Sequence, residues 1–308
     1  MRRPRKAFFE GAILYGATFT GSRVMKAKEL LDAGRLTAAI EALNGELKAR
    51  PNDLPGRTIL FDLLCYAGDL TRAERQLDVI GHQGGGAEAA IGVRFYQNLL
   101  AAEKARTRLF AEGVRPRFLL QPPLAVSIHL EALDRIREGR PGEAKALLDQ
   151  AAASRNPIRG TVGGADFDDF RDADDLLAPV LEVFTATGYF WVPWEQIQYL
   201  EVPTPRTLRD LLWTPANLST FDGQLGEVTL PGLYPGTSSS ADDALRLGRK
   251  TEWNESDGGP VRGLGRKLFL VGDDARTLLE LGEVKFTFGG EGTLAVPAEA
   301  TRPLEDRA

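Results

Sequence analysis

The chain has 308 residues, 43% hydrophobic and 26% charged, which is the composition of a globular protein of about two ordinary domains. Its 38 basic and 43 acidic residues give a net charge of −5, which argues against a nucleic-acid-binding protein that neutralises phosphates. A single cysteine, Cys65, excludes an internal disulfide, and two histidines leave little for histidine-based metal sites or catalysis. We therefore expect a cytoplasmic protein without an evident enzymatic centre.

The first 24 residues differ from the rest of the chain. They hold five basic residues against Glu10 alone, followed by an apolar run that is too short to span a bilayer and is interrupted by Glu10. We expect residues 1–24 to be a loose basic extension, or an upstream addition with Met25 as the alternative start. The rest of the sequence shows no apolar run of membrane-spanning length.

A helical repeat follows from residue 25. Residues recur at a spacing of 34, the period of tetratricopeptide helix-turn-helix repeats, in the pairs Gly34 and Gly68, Leu36 and Leu70, Ala39 and Ala73, and Leu43 and Leu77. A third copy places Gly139 at the turn and Ala144 and Leu148 at the packing positions. A long helix at about residues 87–112 lies between the second and third copies. The pattern predicts a tetratricopeptide-like domain over residues 25–157, with generic antiparallel helix packing as the alternative.

Repeats of this kind present a concave surface that accepts a peptide or a partner helix. The repeat register predicts that this groove is formed by Thr58, Asp62, Tyr66, His129, Leu133, Ile136 and Arg137. The alternative is that several of these residues are ordinary core contacts. Cys65, in the same apolar helical run, is expected to be a buried thiol and no nucleophile.

The second half has the pattern of a strand-rich domain. Short apolar runs between glycines and prolines predict strands at residues 180–185, 189–192, 197–202, 226–230, 267–271 and 284–288. The sequence PRTLRDLLW predicts a short helix between two of them. We expect a compact β-rich domain over residues 158–290, either a small barrel or a curled sheet, and a loose tail over residues 291–308. The fold class is therefore α+β.

Six aspartates lie within residues 166–175. They could hold Mg²⁺ or Ca²⁺, but the glycine and glutamate of an EF-hand are absent, so a helix cap and an arginine-pairing surface is the preferred interpretation. That surface, between the two domains or toward a second partner, is predicted to comprise Asp172, Asp174, Asp175, Arg206, Arg209 and Asp210. No catalytic residue, metal ligand or cofactor is predicted.

Three long stretches together resemble a known family. They are KAKELLDAGRLTAAIEAL, RDADDLLAPVLEVF with GYFWVPWEQI, and PRTLRDLLWTPA with GEVTLPGLYPGT and LRLGRKTEW. These are similar to the ImpE family, also called TagJ or SciE, of bacterial type VI secretion, over about residues 25–288. The resemblance implies a cytoplasmic, non-enzymatic adaptor. From the charge and the apolar runs, we expect neither a membrane nor a nucleic acid as partner. The implied partners are the N-terminal amphipathic helix of the small contractile-sheath subunit and a ClpV-type AAA+ ATPase.

Two other classes of function remain open at this stage. The acidic cluster could serve a metal-assisted hydrolase. The repeats could also make the protein a self-assembling structural component.

Overall fold

The fold is that of a computed structural model, which describes residues 6–8, 24–84, 86–223, 226–255 and 258–287. Its first half is helical and its second half is rich in strands, as the α+β prediction requires. The helices are α1 (Val24–Asp32), α2 (Leu36–Ala49), α3 (Leu54–Tyr66), α4 (Leu70–Gly84), α5 (Gly86–Glu112), α6 (Leu124–Arg137), α7 (Pro141–Ser154), α8 (Asp243–Arg246) and α9 (Leu278–Leu281).

The predicted repeat turns are confirmed. Gly34, Gly68 and Gly139 have φ angles of 73°, 72° and 74° and lie two residues after the ends of α1, α3 and α6. This left-handed backbone favours glycine, which lets the next helix fold back on its predecessor. At Gly68 the restriction is also spatial, because a Cβ atom would lie 2.6 Å from Ser238 Oγ. The leucines and alanines at the repeat positions are buried, except Leu70, which is partly buried against the same core.

The strands are short and follow one another with tight turns. They are β1 (Lys6–Phe8), β2 (Arg159–Val162), β3 (Ala165–Phe167), β4 (Phe170–Asp172), β5 (Val180–Thr185), β6 (Gly188–Pro193), β7 (Ile197–Glu201), β8 (Trp213–Thr220), β9 (Glu227–Pro231), β10 (Lys250–Glu255), β11 (Val261–Gly265), β12 (Leu268–Val271), β13 (Asp274–Thr277) and β14 (Glu283–Thr287). All six predicted strands are present, each within about one residue of its expected bounds. The predicted short helix is a 3₁₀ turn over Leu208–Leu211.

Among the described residues, the strands form an eight-stranded antiparallel sheet, in the order β3-β2-β14-β7-β8-β9-β5-β6, and two smaller sheets. The smaller sheets have the orders β13-β12-β4 and β1-β10-β11. None of the three closes into a barrel, so the structure agrees with the curled-sheet alternative. Strand β14 pairs with both β2 and β7, which places the last described strand inside the large sheet.

The prediction of a loose N-terminal extension is wrong for three residues. Lys6–Phe8 form β1 and pair antiparallel with β10, with Ala7 opposite Thr251. The other residues before α1, and the predicted tail over residues 291–308, lie outside the described residues. No helix in the described ranges combines the length and apolarity needed to cross a membrane.

The helical and strand-rich halves share one hydrophobic core. A single cluster of buried residues includes Phe61 and Leu133 from the helices and Tyr189, Trp213 and Tyr234 from the second half. A separate aromatic cluster of Phe170, Trp194, Phe269 and Phe286 fills the interior of the strand-rich half. Because the first core crosses the boundary, the two halves pack as one body.

Candidate functional site at the junction of the two halves

The chain itself covers most of the predicted groove. Tyr66 and Leu133 are 1% exposed and His129 is 5% exposed. The Tyr66 hydroxyl donates a 2.8 Å hydrogen bond to the carbonyl of Leu208, and His129 Nδ1 donates a 2.9 Å bond to the carbonyl of Leu176. In this arrangement the strand-rich half occupies the concave face of the helices. As contacts of a partner helix these residues stay a prediction.

The other four predicted groove residues have separate roles. Asp62 accepts a 2.6 Å hydrogen bond from Arg209 Nε. The same guanidinium lies over the Tyr96 ring, 4.1 Å from the ring centroid. Thr58 donates to a carbonyl of its own helix, and Arg137 pairs with Asp134 of its own helix at 3.2 Å. Ile136 packs against the edge of the shared core. As a single partner-binding groove, the seven residues stay a prediction.

Two members of the predicted charged surface, Asp172 and Asp174, are 0% exposed, so they offer no charge to a second partner. As members of a contact between the two halves they stay a prediction. No helix begins near them; Asp172 ends β4, and Asp174 lies in the turns that lead to β5. The Asp174 carboxylate accepts hydrogen bonds from Arg262 Nε and from the amide of Gly263, each at 2.8 Å. Both donors belong to strand β11, which compensates the buried Asp174 carboxylate for its loss of water.

The remaining members of that predicted surface are spread over the second half. Asp175 accepts a 2.8 Å bond from the amide of Val261, and Asp210 accepts one of the same length from the amide of Arg206. Arg209 differs, since its bond to Asp62 joins the second half to α3. The structure thus shows an ion pair between the halves at Arg209.

A buried charge network lies where α5 meets the strands. At its centre, Glu182 of β5 accepts from Arg106 Nε at 2.7 Å and Arg106 Nη2 at 2.8 Å, and its second oxygen lies 2.8 Å from Lys267 Nζ. Lys267 also donates to Asp172 at 3.0 Å, and the Tyr189 hydroxyl donates to Glu182 at 2.6 Å. The network joins α5 to β5 and to the residue just before β12.

The electrostatics of the network depend on balanced charges. Burial alone would raise the pKa of Glu182, but the charges of Arg106 and Lys267 outweigh burial and hold that pKa well below its usual range. The pKa of Asp172 is raised by burial, and the opposite effect of the Lys267 charge is too small to cancel that increase. The pKa of Lys267 is raised by Asp172 and Glu182 despite its own burial. Each charge is therefore stable only while its partners remain.

These groups are poorly suited to metal binding or nucleophilic chemistry. Asp172 and Asp174 already accept bonds from cations and amides of the chain. Burial raises the pKa of Cys65 well above its usual range, which keeps the thiol protonated. In the part of the chain that the structure describes, no three His, Cys, Asp or Glu side chains are grouped so that they could hold a metal ion.

Two open depressions lie along α5. The larger, a cleft of about 770 Å³ beside residues 103–111 of α5, is also lined by the turn between α3 and α4 and by residues 231–239. The smaller, a groove of about 380 Å³, lies beside Phe95 and Leu99 of α5 and reaches β8 and β9. The predicted groove residue Tyr66 contributes to the wall of the cleft.

His129 makes the junction sensitive to acid. Burial lowers the pKa of its imidazole from 6.5 to about 4, so the folded protein keeps the ring neutral where the unfolded chain protonates it. Stability should therefore fall as pH decreases from about 6.5 to about 4, by about 3 kcal/mol in total. The measurement is urea denaturation at several pH values. The matched variant is His129→Asn, whose amide can still donate to Leu176 but does not titrate; equal pH slopes for the two proteins would contradict the prediction.

Comparison with known proteins identifies the family. The family described as ImpE protein matches residues 164–285. The type VI secretion system accessory component TagJ of Pseudomonas aeruginosa is 38% identical over 271 residues, which is 88% of this chain and 94% of that protein. The crystal structure of protein VPA1032 from Vibrio parahaemolyticus is similar with a TM-score of 0.78 and 29% identity, covering 85% of this chain and 97% of that one. The chain therefore belongs to the ImpE/TagJ family.

Proposed function

We propose that this protein is a non-enzymatic, cytoplasmic adaptor of a type VI secretion system. It binds the N-terminal helix of the small contractile-sheath subunit and helps couple the sheath to a ClpV-type AAA+ ATPase. The observation that carries the proposal is the 38% identity to a type VI secretion accessory component over most of both chains. The buried carboxylates Asp172, Asp174 and Glu182 are already bonded to cations or amides of the chain, which favours a structural role for them over a catalytic one.

The structure supports an adaptor because it holds two open surfaces on one rigid helix. The cleft and the apolar groove lie along different parts of α5, which has 27 residues and a length of about 40 Å. The shared core and the buried charge network fix α5 to the strands. Two modest binding sites held at a fixed separation raise the effective concentration of one partner beside the other.

The self-assembly alternative is separable by experiment. Ile91 and Phe95 are 70% and 49% exposed, and such apolar side chains could also join two copies of the chain. Light scattering at micromolar concentration distinguishes the two possibilities. A monomer or a small closed oligomer supports the adaptor, whereas concentration-dependent growth to large particles supports the structural role.

The direct test is calorimetric titration of the full-length protein with a peptide of the sheath subunit's N-terminal helix. We expect binding at about micromolar affinity with a negative heat-capacity change, because an apolar face is buried. The control is the same peptide with its apolar and polar positions scrambled. The proposal fails if the native and the scrambled peptide give the same heat.

A further inference from the structure

The largest exposed apolar side chains of α5 lie on one face of the helix. Ile91 and Phe95 are four residues apart, so they are neighbours along the helix, and they are 70% and 49% exposed. Phe95 packs edge-on against Tyr96 with ring centroids 5.1 Å apart, which holds its ring in place. Isolated apolar residues are ordinary on a protein surface, but two adjacent large ones beside a groove indicate a binding site.

The groove beside Phe95 is walled by the outer face of the large sheet. On that face the exposed lining residues are Pro215 and Asn217 of β8 and Glu227 of β9. Strand β8 is paired on both sides, with β7 and β9, and β9 is paired with β8 and β5. This part of the sheet therefore has no free backbone edge for an added strand. A partner must present side chains to it, as an amphipathic helix does.

A row of carboxylates crosses the sheet from this groove. Cross-strand pairing aligns Glu227 of β9 with Asn217, Asn217 with Glu201 of β7, and Glu201 with Glu283 of β14. Directly paired residues of an antiparallel sheet point to the same face, so the three glutamates share one side. Glu227 also lines the groove. Lys285 pairs with Glu283 at 2.6 Å and offsets that charge, which leaves the end nearest the groove the most acidic.

Together these features define the α5–sheet surface, which comprises Ile91, Phe95, Pro215, Glu201 and Glu227. We propose that this surface binds the partner helix, and that the helix carries basic side chains beside its apolar stripe. The proposal rests on the proposed function, since it gives the location and charge of the same helix contact. The apolar stripe would cover Ile91 and Phe95, and its basic residues would meet Glu227 and Glu201.

The junction cleft is the competing location. Its apolar walls include Leu212 and Leu233, which are 8% and 6% exposed, so they have little surface left to bury. Its rim cations are already paired, Lys104 with Glu74 at 2.5 Å and Arg108 with Glu112 at 2.9 Å. The α5–sheet surface instead offers two highly exposed apolar side chains, Ile91 and Phe95, and a row of carboxylates that selects a basic partner.

The test is titration of four full-length variants with the sheath-subunit helix peptide. Phe95→Ala and Glu227→Lys should each weaken binding at least about tenfold, because one removes an aromatic anchor and the other reverses the attracting charge. The matched controls are Leu124→Ala, which truncates another exposed apolar residue, and Asp149→Lys, which makes the same change of net charge on α7. Both controls should bind within about twofold of the parent protein.

A charge exchange makes the test specific. A peptide whose basic residues are replaced by glutamate should bind the parent protein weakly and Glu227→Lys more tightly than the native peptide does. Binding of the native peptide should also weaken as salt is added. If the parent protein does not bind the native peptide, the proposed function itself fails. If it binds, but Phe95→Ala and Glu227→Lys are unchanged while Thr107→Arg in the cleft loses binding, the α5–sheet surface is overturned and the function stands.

Discussion

Replacing Glu182 with alanine is expected to destabilise the protein by about 3–5 kcal/mol, because it leaves Arg106 and Lys267 buried without their shared counter-charge. Arg106 would keep Glu103 at 3.2 Å and the carbonyl of Leu233 at 2.8 Å, and Lys267 would keep Asp172. These contacts do not replace a carboxylate that both cations use. Urea denaturation measures the effect, and Glu131→Ala, at an exposed ion pair, is the control with an expected change below about 1 kcal/mol.

A second pair of variants separates charge from packing. Glu182→Gln keeps the shape of the side chain and removes its charge, so it should lie between the parent protein and Glu182→Ala. The double variant Arg106→Leu with Glu182→Leu removes both members of the buried pair while Lys267 keeps Asp172. It should be more stable than Glu182→Ala, because no uncompensated cation remains on α5. If Glu182→Ala is within about 1 kcal/mol of the parent protein, the network does not stabilise the junction as proposed.

The helical half was predictable because its signals are local. A glycine that takes a positive φ, followed by leucine and alanine at fixed offsets, specifies a turn and a packing face within about 15 residues. The same local logic located strands such as β5 and β14. The prediction failed for β1, because residues 6–8 form a strand only by pairing with β10, more than 240 positions away.

What covers the helices was not predictable from such patterns. Tyr66 bonds Leu208, 142 positions away, and His129 bonds Leu176, 47 positions away. The repeat register could not show that the chain's own second half supplies the partners of both side chains. The burial of Asp172 and Asp174 was not predictable for a related reason, since strand β11 and Lys267 supply their partners.

One signal for the buried network was present in the sequence. Glu182 lies within VLEVFT, a strand in which every residue except the last is buried. A single charge inside an apolar run requires a buried counter-charge, so Glu182 could have been identified as paired. Its partners Arg106 and Lys267 lie 76 and 85 positions away on other elements, and only the fold brings them together.

The shared core also changes how binding should be tested. Leu133 is 1% exposed and belongs to the cluster that joins the two halves. We expect Leu133→Asp to destabilise the protein by about 4 kcal/mol or more, because it removes a packed side chain and buries a carboxylate among apolar atoms. A loss of peptide binding in this variant would therefore report unfolding and would not locate a groove.

The matched control lies on the same helix. Leu124, at the start of α6, is 78% exposed, and Leu124→Asp places its charge at a helix N-terminus, where it is favourable. Thermal unfolding should show a decrease in Tm of about 10 °C or more for Leu133→Asp and little change for Leu124→Asp. If Leu133→Asp instead melts with the parent protein, the concave face must be able to open. In that case the predicted groove at Tyr66, His129 and Leu133 becomes the first surface to test with the sheath helix.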